Sequence, residues 1–156
     1  MKTLSIKNER YSGTRITVMR LFSLGLSGLL LYTATKKVMD IEAFSAHLEL
    51  LPYVGKTVAY MLTALVVLLE YGLAILILYR YRELWVYSLL LVLMMVYTSY
   101  IYYIMNYAPF LPCSCQGAFK NLSWDMHYVV NGIVAVASIM LWKLAKQQKK
   151  RKDETL

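Results

Sequence analysis

Four long apolar stretches strongly restrict the environments in which this chain can fold. They cover roughly residues 18–38, 56–79, 84–107 and 124–144, and each is close to the ~20 residues that a helix needs to cross ~30 Å of hydrocarbon. Segments such as 61–69 and 89–96 are apolar on all sides, whereas the helices of a soluble bundle have polar faces at helical spacing. The sequence therefore predicts an all-α integral membrane four-helix bundle that forms a single domain over residues 1–156.

The first stretch has one alternative interpretation, a cleaved signal peptide, because basic residues precede it. Two features argue against cleavage. The residues at its end lack a good small-x-small pattern, and Lys36 and Lys37 follow at once. We therefore expect the first stretch to remain as a membrane helix.

The basic residues predict the orientation of the bundle, since Lys and Arg near the ends of membrane helices favour the cytoplasmic side. They concentrate in the amino-terminal segment, in the short connection at Arg80 and Arg82, and in the carboxyl-terminal segment. Both termini, with tails at 1–17 and 145–156, are thus predicted to be cytoplasmic. The connections at 40–55 and 108–123 then face outward, which in a bacterial inner membrane means the periplasm.

The distribution of charge also bears on the partners of the chain. The net charge is +8, but the basic residues gather at the ends instead of along a face interleaved with stacking groups. This pattern favours membrane lipid with anionic head groups and argues against nucleic acid. The first outer connection alternates apolar and acidic residues before Pro52, which predicts a short amphipathic segment at the membrane interface.

The only two cysteines of the chain are Cys113 and Cys115, in the second outer connection. Residues two apart have Cα atoms about 5.5–7 Å apart, which overlaps the ~4.4–6.8 Å of disulfides, and the small ring is expected to be strained and easily reduced. Lys120 and the positive end of the fourth helix would favour a thiolate if they are close in space. A redox pair, an inert structural pair, and a copper site that adds His127 and a methionine all remain open.

One carboxylate lies inside the second stretch. A charge at this depth costs ~2.5–3.5 kcal/mol, so Glu70 is expected to face the bundle interior and to be paired or protonated. A functional role and a structural hydrogen-bond network with Ser, Thr or Tyr are both open. Lys37 is a tempting partner, but Glu70 lies fourteen residues beyond Lys56, about 21 Å along a helix, whereas Lys37 ends the first helix. The sequence thus argues against this pair.

Other polar residues could surround the thiols. His127, at the start of the fourth helix, could exchange protons during thiol chemistry or simply be solvated. Asn131, one turn later, could form a hydrogen bond across helices. The tyrosines of the third stretch could line a quinone pocket or form an interfacial aromatic belt; they are Tyr97, Tyr100, Tyr102, Tyr103 and Tyr107.

The chain resembles the MauE family of redox-associated membrane proteins from about Leu29 to Trp142. That family is in turn similar to the DoxX-like four-helix proteins. The features that match are spread over the chain. They are Lys37, Phe44, Pro52, Glu70, Cys113-Ser114-Cys115-Gln116-Gly117 and Asn131. The family pattern at the cysteines is Cys-x-Cys-Phe-Gly, and Gln116 replaces its phenylalanine.

The resemblance implies a role in disulfide handling outside the cytoplasm. In that family, the role belongs to methylamine utilisation and consists of the maturation of a disulfide-rich dehydrogenase subunit. The architecture is also similar to the four-helix core of DsbB and vitamin K epoxide reductase, which pass electrons between a quinone and thiols. Those proteins usually carry a second cysteine pair, which this chain lacks. A periplasmic thioredoxin-fold protein or disulfide-containing client is therefore expected to meet Cys113 or Cys115 directly.

These observations favour an inner-membrane thiol–disulfide oxidoreductase or electron conduit, with no metal and a quinone as candidate cofactor. Cys113 and Cys115 are the predicted catalytic residues. The predicted supporting residues are His127, Lys120, Glu70, Lys37 and Asn131. The alternative is a non-catalytic assembly factor or complex subunit, in which the cysteines form a structural disulfide and a helix face around Gly25 and Gly28 binds the partner.

Overall fold

Helices form all of the regular structure in the parts of the chain that the computed structural model describes, residues 2–108 and 124–153. They are α1 (Lys2–Met39), α2 (Ile41–Leu48), α3 (Lys56–Tyr79), α4 (Leu84–Tyr107) and α5 (Trp124–Asp153). Helices α1 and α5 continue into the segments predicted to be tails. The cytoplasmic location of both termini stays a prediction.

Four of these helices are long and apolar enough to cross a membrane. The candidate spans are Arg15–Met39 in α1, all of α3 and α4, and Met126–Lys150 in α5. They coincide with the stretches predicted from sequence, apart from a few residues at the ends of the first and last. The prediction of an all-α bundle with four membrane helices is confirmed.

The outer surface of the bundle is apolar along these spans. Leu21 is 63% exposed, Met61 68%, Leu68 69% and Ile133 64%. Soluble monomers rarely show continuous apolar surface of this kind, whereas lipid tails accommodate it without cost. The chain is a multi-pass membrane protein.

Helix α1 packs mainly on α3, and α4 packs mainly on α5. Two contacts fix the register of the first pair: the Ser27 hydroxyl donates to the Ala74 carbonyl at 3.0 Å, and the Thr33 hydroxyl lies 3.4 Å from a Glu70 oxygen. Residue numbers rise along α1 as they fall along α3, so the two helices are antiparallel. Small buried side chains such as Ser27 and Ala74 let them approach closely.

Several side chains are completely buried at the end of the bundle where α3 leads into α4. Ile77, Val86 and Tyr87 are completely buried there. The Tyr87 hydroxyl lies 2.9 Å from the Ser23 hydroxyl and donates to the Tyr81 carbonyl. The Tyr87 hydroxyl therefore has partners on α1 and in the connection between α3 and α4.

The short helix α2 closes the other end by packing on α3. Its Ser45 and Leu48 are buried, while Glu42 is exposed. A short helix was predicted in this connection, and the structure forms one. Its position at the membrane interface stays a prediction.

Candidate functional site: a polar cavity between the helices

A cavity of about 320 Å³ lies between the helices, in the half of the bundle next to α2. Apolar side chains such as Leu30, Leu62 and Val134 form most of its wall. Each of the five helices also contributes at least one polar side chain. The polar side chains in its wall include Lys37, Glu70, Tyr97, Tyr100, His127 and Asn131.

An ion pair crosses from α1 to α3 in the wall of this cavity. The Lys37 ammonium donates to both oxygens of Glu70, at 2.7 and 2.8 Å, and the Tyr97 hydroxyl of α4 donates to the same carboxylate. Glu70 is completely buried and Lys37 is 8% exposed. Two opposite charges in contact, with a further hydrogen bond, offset much of the cost of removing each charge from water.

Two aromatic rings complete the surroundings of the lysine. The Lys37 Nζ lies 5.5 Å from the centre of the Phe44 ring and 5.2 Å from that of Tyr97. Both distances fall within the ~6 Å over which a ring attracts a cation. Because Phe44 belongs to α2, this contact connects the short helix to the charged centre of the bundle.

The sequence argument against pairing Lys37 with Glu70 is wrong. It assumed that α1 and α3 end at the same level, but the contacts place the end of α1 beside the middle of α3. In addition, side chains tilt toward the amino terminus of their own helix. In antiparallel helices, Lys37 and Glu70 therefore lean toward each other, and this closes the remaining gap.

Two polar atoms in the wall have no hydrogen-bond partner among the described residues. They are the Tyr100 hydroxyl on α4 and the Asn131 Nδ2 on α5, and both are buried. A buried donor without a partner costs about 1–3 kcal/mol, so protein structures rarely retain one. The cavity thus contains hydrogen-bonding capacity that the described part of the protein does not use.

Histidines lie on two sides of the cavity, His47 from α2 and His127 from the first turn of α5. Burial lowers the pKa of His47 below its ordinary value, which favours the neutral form of its imidazole. His127 is only partly buried. Whether His127 exchanges protons with the thiols stays a prediction.

The structure brings together four of the supporting residues that the sequence predicts, namely Lys37, Glu70, His127 and Asn131. Cys113, Cys115 and Lys120 lie in segment 109–123, outside the described residues. Within the described side chains, no group of three His, Cys, Asp or Glu could hold a metal ion. The copper alternative includes the thiols and is therefore not tested by this result.

The tyrosines of α4 divide into two groups. Tyr97 and Tyr100 line the cavity, whereas Tyr102 and Tyr107 are exposed on the outer surface. Tyr103 stacks on Tyr107, with ring centres 5.5 Å apart. Only the first group can therefore contact a molecule in the cavity.

The sequence analysis missed His47 as part of the site. Its signal was present, because His47 follows Phe44 by three residues on the predicted short helix, and such residues share one helix face. Both side chains line the cavity. Phe44 was noted only through the family resemblance.

A family model described as methylamine utilisation protein MauE matches residues 15–144. The matched range contains all four candidate membrane spans, apart from the last turns of the fourth, together with the cavity and both cysteines. Neither the comparison with curated proteins nor that with solved structures finds a match.

Proposed function

The chain belongs to the MauE family, and from that membership we propose that it is a thiol–disulfide oxidoreductase or electron conduit of the bacterial inner membrane. Cys113 and Cys115 are its redox pair. In one direction, the thiolate of one cysteine attacks a partner disulfide and releases one partner thiolate. The other cysteine then attacks the mixed disulfide, which frees the reduced partner and leaves a Cys113–Cys115 disulfide.

One observation carries this proposal. Four residues that lie on four different helices line the same cavity; they are Lys37, Phe44, Glu70 and Asn131. A buried ion pair and hydrogen-bond donors that have no partner in residues 2–108 and 124–153 are unusual in a bundle that serves only as a scaffold, because polar groups inside a membrane helix bundle are costly. These features support a functional role for the cavity.

Residues shortly before and shortly after the cysteine segment line the cavity. Tyr100 lies about two turns before the end of α4, and His127 lies in the first turn of α5. Both residues line the cavity. This arrangement supports a role in which events at the thiols and in the cavity are linked.

The proposed partner is a periplasmic thioredoxin-fold protein or a client with its own disulfide. The distribution of Lys and Arg supports an outward-facing cysteine segment. The printed description of the family associates it with methylamine utilisation. The proposal of thiol–disulfide exchange rests instead on Cys113 and Cys115 of this chain.

The experiment is a thiol-oxidation assay in membranes that contain the full chain, with a reduced dithiol peptide as substrate. We expect the double variant Cys113→Ser/Cys115→Ser to react no faster than membranes without the protein, because no thiol remains to form the mixed disulfide. Offered the same peptide in its disulfide form, the single variant Cys115→Ser should trap the mixed disulfide if Cys113 is the attacking residue, and Cys113→Ser should trap it in the opposite case.

Ser114→Ala is the matched control, since it changes the same segment and leaves both thiols in place. It should keep most of the activity. A double variant that oxidises the peptide as fast as the unmodified chain would refute the proposed function.

The assembly factor remains the second candidate, and one observation favours it. Gly25 and Gly28 are exposed on α1, and a Cβ atom added at either would meet nothing within 4 Å. A partner helix could approach closely over this face. This candidate requires a Cys113–Cys115 disulfide that never cycles.

A further inference from the structure

We propose that the cavity binds a neutral, lipid-soluble carbonyl compound of the isoprenoid quinone class, through hydrogen bonds from Tyr100 and Asn131. This inference rests on the proposed function and deepens it. It names the molecule that exchanges electrons with the cysteine pair, and it assigns the residues that hold that molecule.

The size and lining of the cavity fit such a ligand. Its volume of about 320 Å³ lies at the lower end of the ~300–1,000 Å³ of typical ligand sites. Leu26, Leu30, Leu90, Met94 and Val134 provide apolar surface around a few polar groups. A quinone ring fits this combination, and its isoprenoid tail can extend into the surrounding lipid.

The charges of the wall favour a neutral ligand. Lys37 and Glu70 are the formally charged residues of its described part, and they neutralise each other at 2.7 Å. A charged ligand would find no free counter-charge there and would lose its hydration. A neutral molecule avoids this cost.

The unused hydrogen-bonding groups select a ligand with acceptor oxygens. Asn131 Nδ2 is a donor, and the Tyr100 hydroxyl can donate as well; neither has a partner in the described ranges. The terminal torsion of an asparagine side chain is broad, so its amide can turn toward a molecule in the cavity. Two donors on two different helices suit a molecule with two carbonyl groups.

The reaction that joins this site to the thiols is balanced. The two thiols of Cys113 and Cys115 form one disulfide bond, and the quinone takes up the two electrons and two protons that they lose, which gives a quinol. The reverse reaction reduces the disulfide at the expense of a quinol. Tyr97 and Glu70, hydrogen-bonded in the same wall, are groups through which protons can move.

The test measures binding of decylubiquinone to the full chain in lipid nanodiscs by quenching of tryptophan fluorescence. It uses the Cys113→Ser/Cys115→Ser background, so that binding is observed without electron transfer. We expect saturable binding that weakens about 5- to 10-fold in Tyr100→Phe and in Asn131→Leu, the loss typical of one hydrogen bond. Because both groups lack partners in the described protein, their removal should not reduce thermal stability.

Matched substitutions outside the cavity provide the controls. Tyr102→Phe and Asn106→Leu change the same residue types on exposed positions of α4 and should leave the affinity unchanged. Methyl palmitate, which carries an ester carbonyl on an apolar chain, tests whether the site accepts any lipid.

Three results would overturn this inference: no saturable binding, equal affinity in the cavity variants and their controls, or displacement of decylubiquinone by methyl palmitate at equal concentration. Each of them leaves the thiol-exchange assay unaffected. Conversely, a failed exchange assay with intact quinone binding would reject the proposed function and retain the site.

Discussion

Replacing Glu70 by glutamine is expected to destabilise the bundle by about 3–5 kcal/mol, the range measured when one partner of a buried ion pair is removed. Glu70 is completely buried and accepts both hydrogen bonds of the Lys37 ammonium. The amide keeps the shape of the side chain but removes its charge. Lys37 would then remain as a buried cation without a counter-charge, or would have to release its proton.

The free energy of unfolding, measured by titration with sodium dodecyl sulfate in mixed micelles, checks this prediction. The double variant Lys37→Met/Glu70→Gln is expected to recover most of the lost stability, because it removes both charges and nearly preserves the volume of both side chains. Glu42→Gln provides the matched control, since Glu42 is exposed on α2.

If Glu70→Gln costs no more than Glu42→Gln, the ion pair does not stabilise the bundle. If the double variant is as unstable as Glu70→Gln alone, the loss comes from the Tyr97 hydrogen bond or from packing, and the charge argument is wrong. The recovery in the double variant therefore decides between these causes.

Replacing Ala74 by leucine is expected to cost about 1–3 kcal/mol, the usual result of overpacking a filled interior. Ala74 is completely buried where α3 meets α1, and its carbonyl accepts a hydrogen bond from Ser27 at 3.0 Å. Three added carbon atoms would push the helices apart and lengthen that bond. The same titration measures the effect.

Ala64→Leu makes the identical change ten residues earlier on α3, at an exposed position. It should change the stability by less than about 0.5 kcal/mol, since the added atoms meet lipid or detergent. If both substitutions cost the same, close packing between α1 and α3 is not what holds the bundle together.

The membrane helices could be predicted from the sequence because their signal is local. Each span is an uninterrupted apolar stretch whose length matches the thickness of a bilayer, and the charged or turn-forming residues at 80–83 mark the break between α3 and α4. The ends are less sharply marked. Helix α5 continues through its basic segment to Asp153, since Lys and Arg are good helix formers.

The Lys37–Glu70 pair could not be found by counting depth from one end, because the register between helices depends on packing. Counting depth from the basic residues at the opposite end of α1 and α3 would have given a better estimate of their register. The Arg20 side chain donates to the Tyr81 hydroxyl at 3.3 Å, which places those two residues at one level. Combined with the opposite tilt of the two side chains, this register brings Lys37 close to Glu70.

The sequence offered a quinone pocket lined by tyrosines such as Tyr100 as one alternative and an aromatic belt as the other, but it could not decide between them. Nothing local indicates that the polar atoms of Tyr100 and Asn131 lack partners. That property appears only when the side chains of neighbouring helices are in place. The sequence named most of the polar residues of the site, but the structure shows which of them share a cavity.

The redox state of Cys113 and Cys115 in native membranes tests the central claim most directly. A membrane-impermeant maleimide, read out as a gel shift, labels thiols that are both reduced and outward-facing. We predict a mixed population that mild reductant converts fully to the labelled form and that changes when respiration is blocked. A pair that stays fully oxidised under every condition would contradict the account, because such a disulfide is structural.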